Sequence, residues 1–280
     1  MSIEHHPISV PVIEPRMANP GGTAGTALVT GASSGIGAEI AELLGADGYN
    51  LCLVGRDPQR LSEVADRLAQ AYGVRCSTIP VDLADPDAAR YLYEACPVVD
   101  VLVNNAAFGV YGTFASTDIR SELEMIQVNI TSLTLLAKLY LPGMIERRRG
   151  RILNVASMAG LLPGPYMAVY YATKAYVLSF SEALSAEVEG TGVTVTTYCP
   201  GATRTRFETT AGAERSGLYR GRVMHPKEVA RIGYRSLMRG RRTVFAGWQN
   251  SFMAASSRMT PRGILLRLSK SWNKPLASRG

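Results

Sequence analysis

Two residues spaced four apart could transfer protons in this chain. On a helix, Tyr170 and Lys174 would face the same way, so the lysine ammonium could lie close to the phenol ring. A nearby positive charge favours the phenolate and lowers the tyrosine pKa from about 10. Ser157 lies thirteen residues before Tyr170 and adds a hydroxyl group to the pattern. The pair therefore predicts a proton-transfer group that can act at neutral pH.

A glycine-rich turn follows the first apolar run of the chain and precedes a helical stretch. Glycine allows the backbone to turn tightly and lets a pyrophosphate approach the helix N-terminus, whose free N–H groups bind anions. A tight turn without a ligand is the alternative, but the strand before and the helix after favour dinucleotide binding. The predicted contacts in this turn are Gly31, Ser33, Ser34, Gly35, Ile36 and Gly37.

The residues after the second predicted strand favour NADP over NAD. An NAD site would have a carboxylate there to pair the ribose hydroxyls, whereas an NADP site accommodates arginine near the 2′-phosphate. Val54 is instead followed by glycine and Arg56, and Asp57 is suited to cap the next helix. Ser33 and Ser34 could add hydroxyl donors to that phosphate. The alternative is that Arg56 is a solvated surface charge.

Further candidate cofactor contacts follow the third and fourth predicted strands. Asp82 and Leu83 end the third strand, where the carboxylate could meet the adenine amino group or cap a helix. Asn104 and Ala106 follow the fourth strand, and Asn104 could contact the cofactor ribose or tie neighbouring strand ends together. Ligands of doubly wound sheets bind outside the carboxyl ends of the strands, which is where these residues are expected.

The elements that must position these residues alternate between strand and helix from about residue 26 to 245. The apolar runs lack strict polar–apolar alternation, as expected for strands buried on both faces. Repeated βα units with right-handed crossovers predict an α/β fold: a doubly wound, mostly parallel sheet with helices on both faces. Seven strands are predicted, at 27–30, 50–54, 75–81, 100–103, 151–156, 194–199 and 243–245.

Aspartate or histidine followed by proline marks three helix starts. Asp57 and Asp85 each combine a capping side chain with a proline at the first helical position, and His225 begins a weaker version of the same signal. Glycines follow several of the predicted helices, where they are expected to end them. The predicted helices are 35–47, 58–72, 86–95, 118–148, 167–190 and 226–239.

Composition indicates a single large core. The chain has 280 residues, of which 46% are apolar, enough for one α/β domain over residues 26–247. Residues 1–25 are expected to form a disordered leader without a signal segment. No uninterrupted apolar run reaches the roughly 18 residues needed to span a bilayer. Four cysteines without C-x-x-C spacing indicate reduced thiols in a cytoplasmic protein.

Charge is distributed unevenly along the chain. Residues 1–214 contain 15 Lys and Arg against 22 Asp and Glu, whereas residues 215–280 contain 15 against one, Glu228. Such segregation suggests an anionic partner for the basic part, and a solvated basic tail is the alternative. No zinc spacing or aromatic–basic RNA motif is present, so we expect no nucleic-acid partner.

In order and spacing, these motifs resemble the short-chain dehydrogenase/reductase family in its single-domain Rossmann form. The resemblance covers about residues 25–247. Ala107 departs from the family pattern, which commonly has glycine at that position. The matching motifs are the 30–37 turn, the 104–106 run, Asn129, Ser157, Tyr170 with Lys174, and Pro200 and Gly201 with Thr205.

The resemblance implies a role for each catalytic candidate. Tyr170 would exchange a proton with the substrate oxygen, and Lys174 would lower the tyrosine pKa and hydrogen-bond the nicotinamide ribose. Ser157 would polarise the substrate oxygen, and Asn129 would hold a water that links Lys174 to solvent. Tyr171 is a rival for the proton donor, but the family pattern selects Tyr170.

The turn after the sixth strand would lie against the nicotinamide in this family. Pro200, Gly201, Thr203 and Thr205 are the expected contacts, and residues 206–222 would form a mobile substrate lid, or a surface loop without substrate contact. Large apolar residues are expected to line the pocket and favour a lipid-like, steroid-like or aromatic ketone. These are Phe108, Tyr111, Met158, Leu161, Leu162, Tyr166, Met167 and Phe207.

The C-terminal extension, residues 248–280, is basic and partly amphipathic. Thr260 and Pro261 signal a helix start, and basic residues occupy the rest of the following helix. Residues 260–274 could lie on an anionic bilayer at the inner face of the membrane, or pack on the core or on a neighbouring subunit. The residues expected to share one apolar face are Ile264, Leu265, Leu268 and Trp272.

The leading hypothesis is an NADP-dependent oxidoreductase acting on a ketone or secondary alcohol. The alternative is a non-catalytic protein of the same fold that senses NADP or acts as a membrane scaffold, which would have no need of a proton donor beside the cofactor. By resemblance alone, the chain would assemble as a homodimer or tetramer through the helices at 118–148 and 167–190.

Overall fold

A computed structural model describes residues 24–213, 216–217 and 223–275. Seven parallel strands form one sheet in the order β3-β2-β1-β4-β5-β6-β7. Because β1 pairs with both β2 and β4, the strand order reverses at β1, which creates the crevice where such sheets bind ligands. The strands are β1 Gly25–Thr30, β2 Tyr49–Gly55, β3 Cys76–Pro80, β4 Val101–Asn104, β5 Gly150–Val155, β6 Val193–Cys199 and β7 Thr243–Phe245.

Helices cover both faces of this sheet, so the predicted doubly wound α/β class is confirmed. The α1, α2 and α8 helices pack on one face around Ile40, Leu61 and Val229, and α3, α5 and α6 pack on the other around Leu92 and Leu136. The helices are α1 Gly35–Ala46, α2 Pro58–Tyr72, α3 Ala88–Ala95, α4 Ile119–Ile126, α5 Leu133–Glu146, α6 Ala168–Glu187, α7 Phe207–Thr210, α8 Pro226–Met238, α9 Trp248–Met259 and α10 Arg262–Asn273.

Two of the three predicted helix caps form. The Asp57 carboxylate accepts a hydrogen bond from the Arg60 N–H, and His225 Nδ1 accepts one from the Lys227 N–H. The predicted start at Asp85 is wrong, because its carboxylate accepts from the N–H two residues later and α3 begins only at Ala88. The side chain closes a turn before the helix instead of capping it.

The helix predicted at 118–148 runs continuously from Ile119 to Glu146. A π-helical segment, Gln127–Ser132, joins α4 to α5 and carries the buried Asn129. By length and composition this is the one helix of the described residues that is apolar enough to cross a membrane. In this fold, however, 44% of its most apolar window is buried within the protein, against the sheet.

The two ends of the chain differ from the predictions in detail. Residues 1–23 of the predicted leader lie outside the described residues, and β1 already begins at Gly25. In the C-terminal extension, α10 begins directly after Pro261 as expected, but α9 had no counterpart among the predicted helices.

All four cysteines are free thiols, as expected. Three of them are buried, and the Sγ atoms of Cys52 and Cys96 lie 2.7 Å apart in a thiol–thiol hydrogen bond. This pair joins the middle of β2 to the residue after α3 and lies in the core.

Candidate active site

One cavity of about 640 Å³ lies along the carboxyl ends of the strands. Its walls come from the segments after β1, β2, β3, β4, β5 and β6, together with residues of α6, α9 and α10. The sheet thus brings residues from most of the chain to one edge, where the sequence predicted the cofactor and catalytic groups.

The turn after β1 forms an anion-binding cradle at one end of this cavity. Gly31 and Gly35 have φ angles of +67° and +59°, a conformation that favours glycine. Ser34 precedes α1 without capping it, and the first helical turn has no acidic residue. The N–H groups at the start of α1 are therefore available to an anion from the cavity.

Gly37 allows the close packing on which this cradle depends, although it does not line the cavity itself. A Cβ atom at this position would lie 2.3 Å from the Gly31 carbonyl oxygen and 2.5 Å from Asn105 Nδ2. The Asn105 amide donates to the Thr30 carbonyl oxygen at 2.9 Å, and the Thr30 hydroxyl accepts from the Asn105 and Ala106 N–H groups. Asn105 lines the cavity and was missed as a site residue, although it belongs to the same predicted run.

The chain after β2 contributes the cation Arg56 to the cavity wall, and the carboxylate that follows it, Asp57, already has partners. Asp57 caps α2 and forms an ion pair with Arg60 at 3.0 Å, so its charge is engaged away from the cavity. Arg56 lines the cavity, and its guanidinium lies 3.9 Å from the Asp82 carboxylate, both side chains being largely exposed. Ser33 and Leu83 line the same region.

Asn104 makes the structural contact that was one of the two alternatives left open by the sequence, and its contact with the cofactor ribose stays a prediction. Its amide donates to Asn154 Oδ1 at 2.9 Å, and the Asn154 amide donates to the Ser181 hydroxyl at 2.9 Å. Asn104 is buried and does not line the cavity. It ties the end of β4 to β5 and, through Asn154, to α6.

Tyr170 and Lys174 lie together on α6 and both line the cavity. The Lys174 ammonium is 5.9 Å from the centre of the Tyr170 ring and donates to the Val155 carbonyl oxygen at 2.9 Å. Because the ammonium is buried, the pKa of Lys174 is lowered to about 8. The amine is still mostly protonated at neutral pH, so it supplies the positive charge that the spacing predicted.

Ser157 follows β5 and also lines the cavity. Its hydroxyl oxygen accepts a hydrogen bond from the Ala159 N–H at 3.1 Å, which caps a short 3₁₀ turn, Met158–Leu161. This contact fixes the oxygen while leaving the hydroxyl hydrogen able to donate to a substrate oxygen.

Asn129 is buried in the π-helical segment and does not line the cavity. Its side-chain amide exchanges two hydrogen bonds with the Phe108 backbone, at 3.0 and 3.2 Å, and donates to the Thr173 hydroxyl at 3.1 Å. The side chain therefore braces the loop after β4 against α6, next to Lys174. Its predicted water-holding role stays a prediction.

The segment after β6 lines the cavity. Pro200, Gly201, Thr203 and Thr205 all contribute to the wall. Of the predicted lid, residues 206–213 and 216–217 are described, and they include α7. Residues 214–215 and 218–222 lie outside the described residues.

Apolar side chains dominate the other end of the cavity. Leu161, Tyr111 and Tyr166 are not part of the wall, and the two tyrosine rings stack on each other with centres 6.2 Å apart. Phe207 packs against Tyr170 at 5.0 Å between ring centres. The predicted pocket residues that do line the cavity are Phe108, Met158, Leu162, Met167 and Phe207.

The C-terminal helices complete this apolar end. Asn250, Met253 and Trp272 line the cavity, although none was predicted as a site residue. Asn273 is fully buried: its side-chain oxygen accepts from the Tyr171 hydroxyl at 3.1 Å, and its carbonyl oxygen accepts from the Tyr111 hydroxyl at 2.5 Å. Local sequence signals could not have identified the role of Asn273, because its partners Tyr171 and Tyr111 lie 102 and 162 positions away.

This packing also shows that the apolar face predicted for α10 is not the face that is buried. The buried residues of the helix are Ser269 and Asn273, and Leu265 is half-buried. Ile264, Leu268 and Trp272 are instead more than 40% exposed. The helix packs on the core through the polar residues Ser269 and Asn273, because Asn273 accepts a hydrogen bond from the Tyr171 hydroxyl there.

The residues present suit a dinucleotide. An uncapped helix start and glycines suit its phosphates, Arg56 and Ser33 suit an additional phosphate, and the opposite end combines a phenol, an ammonium and a hydroxyl group. Such a cavity can hold a cofactor at one end and transfer a proton to a substrate at the other.

A sequence model described as short chain dehydrogenase matches residues 25–216. The chain is 37% identical over 175 residues to a very-long-chain 3-oxoacyl-CoA reductase of Coprinopsis cinerea, a match that covers 60% of this chain and 52% of that relative. The chain thus matches only about half the length of that relative.

Two solved structures resemble the fold closely. A short-chain dehydrogenase from Sphingobium yanoikuyae in complex with NADPH has a TM-score of 0.76 and 30% identity, over 91% of this chain and 99% of that one. A structure from work on 7β-hydroxysteroid dehydrogenase stereoselectivity has a TM-score of 0.79 and 26% identity, over 88% of this chain and 97% of that one.

Proposed function

Because the chain belongs to the short-chain dehydrogenase/reductase family of oxidoreductases, we propose that it transfers hydride between NADP(H) and a large apolar ketone or the corresponding secondary alcohol. One observation carries this proposal: a single cavity is lined at one end by an anion cradle and at the other by Ser157, Tyr170 and Lys174. A protein without catalytic activity would have no use for the buried ammonium beside the phenol.

Each catalytic side chain acts on the substrate oxygen or on the proton it receives. The bound nicotinamide supplies or accepts the hydride. During reduction Tyr170 donates its phenolic proton to the carbonyl oxygen, and the Ser157 hydroxyl donates a hydrogen bond to the same oxygen. The positive charge of Lys174, 5.9 Å from the ring centre, stabilises the phenolate that remains. Asn129 would order a water linking Lys174 to solvent while bracing the neighbouring segments.

Preference for NADP is supported by the charges at the end of β2. The carboxylate of Asp57 is engaged with α2, so it does not repel a 2′-phosphate or pair with a free ribose. Arg56 and the Ser33 hydroxyl are the groups that would bind the phosphate there. Asp82 would accept from the adenine amino group. The neighbour from Sphingobium yanoikuyae was solved with NADPH.

An apolar substrate is supported by the composition of the catalytic end. Aliphatic, aromatic and methionine side chains surround the catalytic groups there, and methionine adapts to varied shapes. The similar proteins include a very-long-chain 3-oxoacyl-CoA reductase and a structure from work on 7β-hydroxysteroid dehydrogenase, and a very long acyl chain and a steroid are both large apolar groups. The side chains concerned are Phe108, Met158, Leu162, Met167, Phe207, Met253 and Trp272.

We further propose that the protein is cytoplasmic and assembles as a homodimer or tetramer. Residues 260–274 would make peripheral contact with the membrane. Assembly through α4, α5 and α6 is supported by large apolar side chains that these helices leave exposed. They are Ile119, Leu123, Leu135, Ile145 and Tyr176.

The function is tested by measuring NADPH and NADH consumption over a panel of apolar ketones of increasing size. We expect kcat/KM to favour NADPH by at least about tenfold, because a phosphate bound by a charged donor contributes roughly 1.5–3 kcal/mol. Arg56→Ala should reduce this preference and leave NADH turnover unchanged. Arg67→Ala is the matched control, because Arg67 lies farther along α2, pairs with Glu42 and does not line the cavity. Equal use of both cofactors would contradict the NADP assignment, and no turnover of any ketone would contradict the substrate class.

A further inference from the structure

The C-terminal helices expose a series of large apolar side chains. Trp248, Phe252 and Met259 of α9 are 74%, 72% and 89% exposed. These positions recur at helical spacing, and α10 continues the pattern with Ile264, Leu268 and Trp272, as given above. We call these six residues the outer apolar surface. Several large apolar side chains exposed on one short segment indicate a binding site for a protein or a membrane.

The same two helices form part of the cavity wall. Met253 of α9 and Trp272 of α10 line the cavity, and Trp272 is at the same time 42% exposed. The burial of Asn273 beneath the two tyrosine hydroxyls holds α10 in this position. A ligand bound at the outer apolar surface would therefore lie next to the apolar end of the cavity.

All charged side chains of the chain segment that carries this surface are positive. Residues 229–280 contain no aspartate or glutamate. On α10 and directly after it, Arg262, Arg267, Lys270 and Lys274 are all exposed. Apolar and aromatic residues interleaved with cations are the composition of helices that lie in an anionic lipid interface.

We propose that the outer apolar surface docks on an anionic lipid bilayer, and that the cavity receives a membrane-dissolved ketone from that bilayer. The cations would bind lipid phosphates, while the aromatic and aliphatic side chains enter the interface. Docking through this surface brings Trp272, which lines the cavity and is partly exposed, to the lipid. The docking stands by itself, whereas the route of the ketone depends on the function proposed above.

Charge favours a bilayer over a second copy of the chain as the occupant. In a symmetric dimer the same surface patch contacts itself, so the cations of α10 would face their own copies. No acidic residue follows Glu228 in the sequence, so the segment has no carboxylate of its own to neutralise them. An anionic bilayer neutralises these charges and also accepts the apolar side chains.

Vesicle sedimentation tests the docking with the full-length protein. We expect pelleting with phosphatidylglycerol vesicles and little with phosphatidylcholine vesicles. The double variant Trp248→Ser, Phe252→Ser should weaken binding by about a hundredfold, since each buried aromatic contributes at least a factor of ten. Val98→Ser is the control, because Val98 is 56% exposed and lies just before β4, at the amino ends of the strands and thus opposite the cavity.

A second double variant isolates the charge. Arg267→Gln, Lys270→Gln should weaken binding to phosphatidylglycerol by about tenfold or more, because each interfacial cation contributes about a factor of five. Circular dichroism and light scattering show whether either variant alters folding or assembly. Absence of pelleting by the parent protein, or equal pelleting of parent and variants, would overturn the docking. A parent that does not pellet but dimerises, and is made monomeric by the serine variant, would overturn it in favour of a subunit interface.

The route of the ketone is tested separately from catalysis. A long-chain ketone incorporated in phosphatidylglycerol vesicles should be reduced by the parent at least about tenfold faster than by the serine variant. A water-soluble ketone should be reduced equally by both. Equal rates with the vesicle ketone would overturn the membrane route, whereas failure with both ketones would contradict the proposed reductase activity and leave the sedimentation result to decide the docking.

Discussion

The cofactor end and the substrate end of the cavity are constructed differently. The cofactor end uses backbone N–H groups and glycine conformations of one turn, supported by Asn105. The substrate end uses side chains from α6, α7, α9 and α10, whose hydrogen-bond partners are separated by as many as 162 positions. The cofactor end therefore depends mainly on the conformation of one turn, which Asn105 braces from 75 positions away, and the substrate end depends on how distant helices pack. This difference predicts which substitutions will affect cofactor binding and which will affect only turnover of large substrates.

The largest effect is expected where the two ends meet, at the proton donor. Tyr170→Phe removes the phenolic hydroxyl and retains the ring, so kcat should fall by about 10³-fold while the Kd for NADPH changes little. Steady-state kinetics and NADPH fluorescence titration measure the two quantities. Tyr171→Phe is the matched control, and it should lower kcat by less than about tenfold because it removes only the contacts of that hydroxyl with Asn273 and Ser269 of α10. Retained turnover in Tyr170→Phe would refute the assignment.

The cofactor end should respond most strongly to added volume. In Gly37→Ala the new methyl would overlap the Gly31 carbonyl oxygen, so we expect the Kd for NADPH to rise at least about tenfold and stability to fall by about 1–3 kcal/mol. Gly263→Ala in α10 is the contrasting variant, because its Cβ would meet no atom within 4 Å. It should leave NADPH binding unchanged and raise stability by up to about 1 kcal/mol. Equal effects of the two would contradict a tightly packed cradle.

The buried ammonium makes turnover depend on pH. Lys174 has a pKa of about 8, so above that pH it loses the charge that stabilises the Tyr170 phenolate. We expect kcat/KM for ketone reduction to be level below about pH 7 and to fall by about tenfold by pH 9. In Lys174→Met activity should be much lower and this decline absent; its persistence would assign the titration to another group.

The lowered pKa of Lys174 also makes the stability of the protein depend on pH. The unfolded chain holds this lysine proton up to about 10.5, so between about 8 and 10.5 the unfolded state binds more protons than the folded state. The contribution of Lys174 to stability therefore increases as pH rises through this window and is lowest below it. Urea unfolding of the parent and of Lys174→Met across this range measures the contribution by difference.

The smallest effect is expected at the contact that holds α10. Asn273→Ala removes the acceptor of the Tyr171 hydroxyl but retains the carbonyl that accepts from Tyr111. We expect a loss of about 1–3 kcal/mol in stability and a severalfold lower kcat/KM for large ketones, with the Kd for NADPH unchanged. Lys274→Ala, at the exposed neighbouring position, is the control. A change in NADPH binding equal to that in turnover would remove the distinction between the two ends.

Strong local signals allowed much of the fold to be predicted. Asp57 followed by proline fixed the start of α2, and Gly73 adopts the left-handed conformation that ends it. The same Asp-Pro dipeptide at Asp85 failed, because an aspartate can equally close a turn with its own downstream backbone. Local chemistry thus defines a set of allowed conformations, from which the surrounding packing selects one.

The C-terminal extension shows the limit of periodicity. The 3.6-residue pattern correctly predicted a helix after Pro261, but the face it predicted as apolar is not the face that is buried. Ser269 and Asn273 face the core because the Tyr171 hydroxyl there provides a hydrogen-bond partner. A hydrophobic pattern cannot predict this hydrogen bond, since the partner lies in a different helix.

The amino-acid sequence by itself determined the parallel α/β architecture, the glycine cradle and the Tyr170–Lys174 pair, because each depends on residues that are neighbours in the chain. Only the tertiary structure decided that Asn104 ties strands together, that Asn105 braces the cradle, and that α9 and α10 form the wall of the apolar end. These contacts join segments distant in the chain, and burial and hydrogen bonding select them only when the complete domain has packed.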